Sequence, residues 1–146
     1  MTNFEEELKK NGVIVFTNKG DSMMPLLREG KDVMVIRAQK DGFRKNDAVL
    51  FKRDNGQYIM HRITRVRDDG SYTIVGDNCM TGERVRPDQL LGILTEVRRD
   101  GKTIKCTDED YLRYVKSVPL RRFFFTIYRR TKSALWKAYH SFFKKK

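Results

Sequence analysis

Apolar residues recur with two different periods along this chain. From Val13 to about Cys106 they come in short runs: VIVFT, DVMVIRA, DAVLFKR, YIMHRITRV, SYTIVG and GILTEVRRDGKTIKC. These runs are rich in Val, Ile, Tyr and Thr and are divided by Gly, Asp and Asn, which predicts six or so antiparallel strands with tight connections. The predicted fold is mainly β, a strongly bent sheet or partly open barrel. Asp100-Gly101 in the last run is a favoured hairpin turn, because both residue types tolerate positive φ. Ahead of the strands, Asn3 can cap a short helix over residues 3–11. Glu5, Glu6 and Glu7 lie in its first turn, Lys9 and Lys10 in its last, and Gly12 ends it.

Beyond the strands the period changes to that of a helix. Thr107 offers a cap, Pro119 restarts the chain, and LRRFFFTIYRRTKSALWKAYHSFFKKK follows. At about 100° per residue, Leu120, Phe123, Phe124, Ile127, Leu135, Ala138 and Phe142 share one face, with Arg122, Arg129, Arg130, Ser133, Lys137 and His140 opposite. The expected organisation is a β-rich domain over residues 1–106 and a basic, aromatic, amphipathic tail over 107–146.

Charge sharpens this division. The net charge is +12, but residues 111–146 hold eleven Lys or Arg and no acid, while the rest carries twenty basic against nineteen acidic side chains. The tail therefore owns the charge. No run of about 20 apolar residues is present, so no ordinary transmembrane helix is predicted. The start, MTNFEEELKKNG, is acidic where a secretory signal is basic and then apolar, which points to a cytoplasmic chain. Two cysteines, Cys79 and Cys106, are too few for a disulfide scaffold or a four-ligand zinc site. The tail's composition suits an anionic membrane surface, where each Lys or Arg contributes about 1 kcal/mol. It also permits packing on the β body or in a partner groove. Nucleic acid is physically possible for such a tail but less expected.

The candidate chemistry begins at KGDSMMPLLREGKDVMVI. A serine in a Gly-Asp-Ser-Met-Met-Pro turn is ordinary loop chemistry unless a base is close enough to take its proton. Downstream stand Asp47 in NDAVLFKR, His61-Arg62 in QYIMHRITRV, and Gly76-Asp77-Asn78 at the end of SYTIVGDN. Each alone reads as a turn residue or a half-buried strand residue.

Their order, however, resembles the type I signal peptidase family over Lys19 to Arg98: Gly-x-Ser-Met-x-Pro, REGKDVMVI, NDAVLFK, a strand with His-Arg, then GDN. The His-Arg pair is similar to the branch found in archaea and the endoplasmic reticulum, which uses Ser/His where most bacterial members use Ser/Lys. The GDSM form also resembles the self-cleaving LexA-like repressors of the same clan, which carry lysine where His61 stands. The resemblance implies a serine endopeptidase with Ser22 as nucleophile and His61 as general base, and with no cofactor. Asp77 of the GDN box or Glu83, near a second acid of that branch, would be the third catalytic group; both stay open. Asp21, Met23 and Pro25 flank the serine as substrate-binding or oxyanion positions, with the Ser22 N–H as oxyanion donor.

The implied substrates are signal or leader peptides with small residues near the cut, bound extended against strand edges. Three positions depart from the family pattern. Asp21 and Gly20 stand where Gly directly before the nucleophile, or Ser two before it, is usual, and Asn46 replaces the Gly before Asp47. The family's usual N-terminal membrane span has no counterpart in MTNFEEELKKNG, so the tail is expected to supply peripheral membrane attachment. The alternative is an inactive LexA-like regulatory or binding module whose tail engages nucleic acid or an acidic partner.

Overall fold

The computed structural model describes residues 3–143, with side chains through Lys137. Helix α1 (Phe4–Asn11) is capped as its sequence requires. The Asn3 side chain accepts from the Glu5 N–H, and Gly12 closes the helix in the left-handed region with its N–H on the Leu8 carbonyl. Eight strands follow: β1 (Val13–Thr17), β2 (Val33–Arg37), β3 (Ala48–Lys52), β4 (Tyr58–Val66), β5 (Tyr72–Val75), β6 (Glu83–Val85), β7 (Leu90–Arg99) and β8 (Lys102–Lys105). All pairings are antiparallel, in the order β1-β2-β7-β3-β4-β5-β6, with β8 beside β7. The fold is thus mainly β with a helix at each end. Register shifts in the β2/β7, β3/β7 and β4/β5 pairs bend the sheet. Asp100 and Gly101 both have positive φ and make the β7–β8 hairpin that their dipeptide predicts.

Strand β3 explains why its sequence is apolar without alternation. Ala48 and Leu50 enter one core with Leu8, Met23, Met34 and Met60, while Val49 and Phe51 enter a second with Ile63, Ile74 and Val85. The strand is buried on both faces. On β4, neighbours point to opposite faces, so His61 lies near Phe51, with ring centroids 6.1 Å apart, and Arg62 turns the other way toward the C-terminal helix.

That helix, α2 (Glu109–Phe143), runs continuously through Pro119. The expected restart there is corrected. Proline removes one ladder donor and strains one turn, but Tyr111, Val115 and Val118 are buried against the body just before it and hold that turn in place. These inward residues recur at helical spacing and carry Arg122 with them toward the sheet. The opposite stripe, Leu120, Phe123, Phe124 and Ile127, is 44–60% exposed. Arg122, expected on the solvent face, is therefore body-facing, and the apolar stripe expected to seek a partner is not packed on the β body. Ala138, His140 and Phe142 of the predicted faces lie outside the described side chains. Among the described residues, no helix is long and apolar enough to cross a membrane.

Candidate active site

Ser22 sits in the loop between β1 and β2, and three sets of contacts fix that loop. At its start, buried Asn18 donates to the Gly20 carbonyl (2.8 Å) and accepts the Gly30 N–H on its own carbonyl (3.0 Å), while the Gly20 N–H meets Glu29 (2.7 Å). At its far end, Asp32 is wholly buried and takes hydrogen bonds from Arg28 and Arg99; Arg99 also donates to the Pro25 and Leu26 carbonyls (3.0 and 2.7 Å). Burial alone would raise the Asp32 pKa, but the two guanidiniums outweigh it and hold it at about 2. In the middle, the GDN segment clamps the serine itself: the Asn78 N–H donates to the Ser22 carbonyl (2.8 Å) and its side chain to the Asp21 carbonyl (3.1 Å).

His61 reaches this turn from β4. A Cβ built on Gly76 would lie 2.6 Å from the Ser22 carbonyl oxygen, 2.7 Å from Cys79 Sγ and 3.0 Å from His61 Nε2. The serine backbone and the imidazole therefore face each other across a space that only glycine leaves open. On the far side of the ring, His61 Nδ1 is buried with no hydrogen-bond partner among the described residues, and Glu83 Oε1 stands 3.7 Å away. That distance suits an ion pair but is too long for a hydrogen bond. Glu83 in turn is gripped by Arg53 through two bonds of 2.7 and 2.8 Å. Burial pushes the His61 pKa below its ordinary value; Glu83 opposes this, and Arg53 reinforces it. The ring is neutral at neutral pH and can accept a proton.

Asp77 is engaged elsewhere. Its carboxylate takes both Arg62 Nε and Nη2 (2.8 and 2.7 Å) and the Tyr114 hydroxyl (2.9 Å), in a pair whose side chains are 2% and 1% exposed. Arg62 also donates to the Asn46 carbonyl (2.7 Å) and the Tyr111 hydroxyl (3.2 Å). This knot fastens α2 to the sheet. Asp47 is turn chemistry, accepting the Arg44 N–H (2.7 Å), and Asn46 adopts φ +79°, as its residue type allows. Beside the knot, Arg122 Nε and Nη2 are buried with no hydrogen-bond partner among the described residues.

The flanking positions differ in role. Met23, expected beside the substrate, is wholly buried in the core and anchors the turn from below. Pro25 is exposed with its carbonyl on Arg99, and Asp21 is exposed with its carbonyl on Asn78 and Met24. The Ser22 N–H meets no protein acceptor among the described residues. Sequence reasoning assigned no role to Arg53, Asp32 or Arg99; each acts across the sheet from a residue distant in the chain, and nothing local marks it.

A cleft of about 360 Å³ adjoins Ser22, walled by Phe16 to Lys19 from β1 and its exit and by Tyr58 to Met60 of β4. Strand β1 is a sheet edge, and β5 pairs β4 only from Arg62 onward, so this half of β4 has a second free edge. A larger groove of about 490 Å³ between β3, β7 and α2 contains neither Ser22 nor His61. Both cysteines are free thiols, and burial raises the pKa of each.

No curated protein matches the chain. A family model does so over residues 2–98, from α1 almost to the end of β7, and on that match the chain belongs to the Peptidase S24-like family, which at the family level points to a serine-type peptidase.

Proposed function

We propose that this chain is a serine endopeptidase of the signal-peptidase type, cutting signal or leader peptides with Ser22 and His61 at an anionic membrane surface. The observation that carries the reading is the convergence of His61 Nε2 and the Ser22 backbone on Gly76, with Ser22 itself lining a cleft between two free strand edges. An extended peptide adds a strand there and offers alternate side chains to the walls.

Ser22 Oγ attacks the scissile carbonyl carbon while its proton passes to neutral His61 Nε2. The Ser22 N–H faces the oxyanion. Collapse of the tetrahedral intermediate breaks the C–N bond, and His61 returns the proton to the leaving amine. Water, deprotonated by His61, then attacks the ester; its proton passes through the imidazole back to Ser22 Oγ as the new carboxylate leaves. The developing imidazolium needs a carboxylate behind it. Glu83 fits that role and Asp77 does not, since Asp77 is saturated by Arg62 and Tyr114. The 3.7 Å gap at Nδ1 closes as charge builds on the ring, because catalytic hydrogen bonds tighten in the substrate complex.

The exposed face of α2 supports the membrane part of this reading. Its outward Leu120, Phe123, Phe124 and Ile127 are exposed beside a dense basic charge, and apolar burial plus attraction to anionic lipid is how such helices bind an interface. Incubating wild type, Ser22→Ala and His61→Ala with a diverse peptide library and anionic liposomes, then sequencing new termini by mass spectrometry, tests the whole. Cleavages confined to wild type are expected; identical termini in all three would overturn the peptidase. The second reading, a catalytically inactive regulatory or binding module of the LexA-like kind, draws on the exposed Arg129, Arg130, Lys132 and Lys137. It predicts indifference to Ser22→Ala and, for nucleic acid, binding that falls log-linearly with salt.

A further inference from the structure

One wall of the cleft comes from α1, a helix to which the sequence assigns no chemistry. Phe4 of α1 stacks on Phe16 of β1, with ring centroids 4.7 Å apart and an angle of 22°, and meets Tyr58 of β4 edge-on at 5.0 Å. The three rings bridge the two free strand edges. Electrostatics hold the helix there: Glu5 accepts from Lys52 Nζ (2.7 Å) and from the Tyr58 hydroxyl (3.4 Å), and Leu8 is buried in the core. Below the rings, the floor is made by Met34, Leu50 and Met60, which are 0%, 1% and 6% exposed. Polar lining comes from Thr17, Asn18, Lys19 and Ser22 at the exit of β1, and from the Tyr58 hydroxyl, which is turned to Glu5.

We propose that Phe4, Phe16 and Tyr58 form a side-chain subsite beside Ser22 that takes a large apolar residue of the substrate, at one fixed position near the cleaved bond. This rests on the peptidase reading and specifies its substrate class. The volume, about 360 Å³, lies within the roughly 300–1,000 Å³ of ordinary ligand sites. An alanine methyl would leave most of that floor without contacts, and a charged or amide side chain set against Met34, Leu50 and Met60 would find no hydrogen-bond partner in them. Leu, Met or Phe fills the space against aromatic and thioether surface, which accommodates several shapes. Substrates chosen by this pocket therefore differ from those with small residues at every position near the cut. Phe4 sets the depth, because it is the ring that α1 adds to walls otherwise made by the sheet.

The test combines cleavage with a readout that needs no catalysis. Peptides differing only at single positions around the cut are given to wild type and Phe4→Trp, and the same library is passed over immobilised Ser22→Ala and Ser22→Ala/Phe4→Trp protein. Wild type is expected to favour Leu, Met or Phe over Ala at one position by about 10-fold or more in kcat/KM. Ser22→Ala protein should retain the same peptides, and Phe4→Trp, with the pocket filled, should shift both preferences toward smaller residues. A wild-type preference for Ala, Gly or Ser, or a bulky preference that Phe4→Trp leaves unmoved while the variant stays folded by circular dichroism, would overturn the subsite. Retention of bulky peptides that depends on Phe4, without cleavage by wild type, would keep the subsite and remove the peptidase. Neither cleavage nor selective retention would remove both.

Discussion

Replacing Asp77 with alanine separates the two acids that the sequence left open. Arg62 is 2% exposed, and its guanidinium loses both charge-assisted bonds to Asp77, at 2.8 and 2.7 Å, with only Asn46 and Tyr111 left as partners. The Tyr114 hydroxyl loses its acceptor as well. Removing one member of such a pair strands a buried charge and costs about 3–5 kcal/mol. For a chain of 146 residues, each kcal/mol moves the midpoint of thermal unfolding by roughly 2–4 °C, so a fall of about 6–20 °C is expected. Replacing both partners, as in Arg62→Met/Asp77→Leu, removes the stranded charge and should recover much of the loss. Thermal unfolding followed by far-ultraviolet circular dichroism measures this. A midpoint lowered by less than about 3 °C in Asp77→Ala, together with lost peptidase activity, would refute a structural role and return Asp77 to the catalytic machinery.

Glu83→Gln should fold normally and reduce kcat/KM by about 10²-fold, less than the ~10⁴-fold seen where a carboxylate is bonded tightly to its histidine, because the resting gap to Nδ1 is 3.7 Å. Burial lowers the His61 pKa, so in wild type kcat/KM should rise through a pKa below 6.5 and stay level above it; Glu83→Gln, without the opposing acid, should move that limb to still lower pH. The same shift makes His61 cost stability as pH falls below 6.5, because the unfolded chain takes up the proton first. Asp32, held at about 2 against an ordinary 3.8, contributes stability that is present above that ordinary value and lost as pH falls toward 2; Asp32→Asn should flatten the acid side of the unfolding curve and loosen the serine loop. Gly76→Ala should abolish cleavage, since its methyl would need to sit 2.6 Å from the Ser22 carbonyl oxygen and between serine and histidine. Phe123→Glu/Phe124→Glu, on the exposed stripe of α2, should release the protein from anionic liposomes in co-sedimentation by at least tenfold while leaving cleavage of a soluble peptide intact.

The strands were written plainly in the pattern of residues. YIMHRITRV became β4 residue for residue, and the Asp100-Gly101 turn has the positive φ values that the dipeptide favours. Strand β6 was missed because three residues, Glu83–Val85, are too short and polar to carry a period. It is the strand that places Glu83 3.7 Å from His61, a proximity visible only in the sheet. In sequence the two acids stand level, Asp77 in a recognisable box and Glu83 near a second acid position; in space Asp77 is partnered by Arg62, the neighbour of the base on the opposite face of β4. The tail shows the same limit. Its inward stripe, Tyr111, Tyr114, Val115 and Val118, precedes Pro119, and a proline reads locally as a break even where tertiary packing carries the helix across it. Phe4 lies outside the segment that bears the family motifs, and only its stacking on Phe16 and Tyr58 links it to the cleft.

The most direct measurement is covalent capture of Ser22 with an electrophilic serine probe such as a fluorophosphonate, mapped by peptide mass spectrometry in wild type, His61→Ala and Glu83→Gln. One adduct on Ser22 in wild type is expected, forming faster as pH rises past the histidine pKa, nearly absent in His61→Ala and slowed in Glu83→Gln. An unmodified Ser22, or a Ser22 adduct that forms equally fast without His61, would contradict a Ser22/His61 catalytic pair.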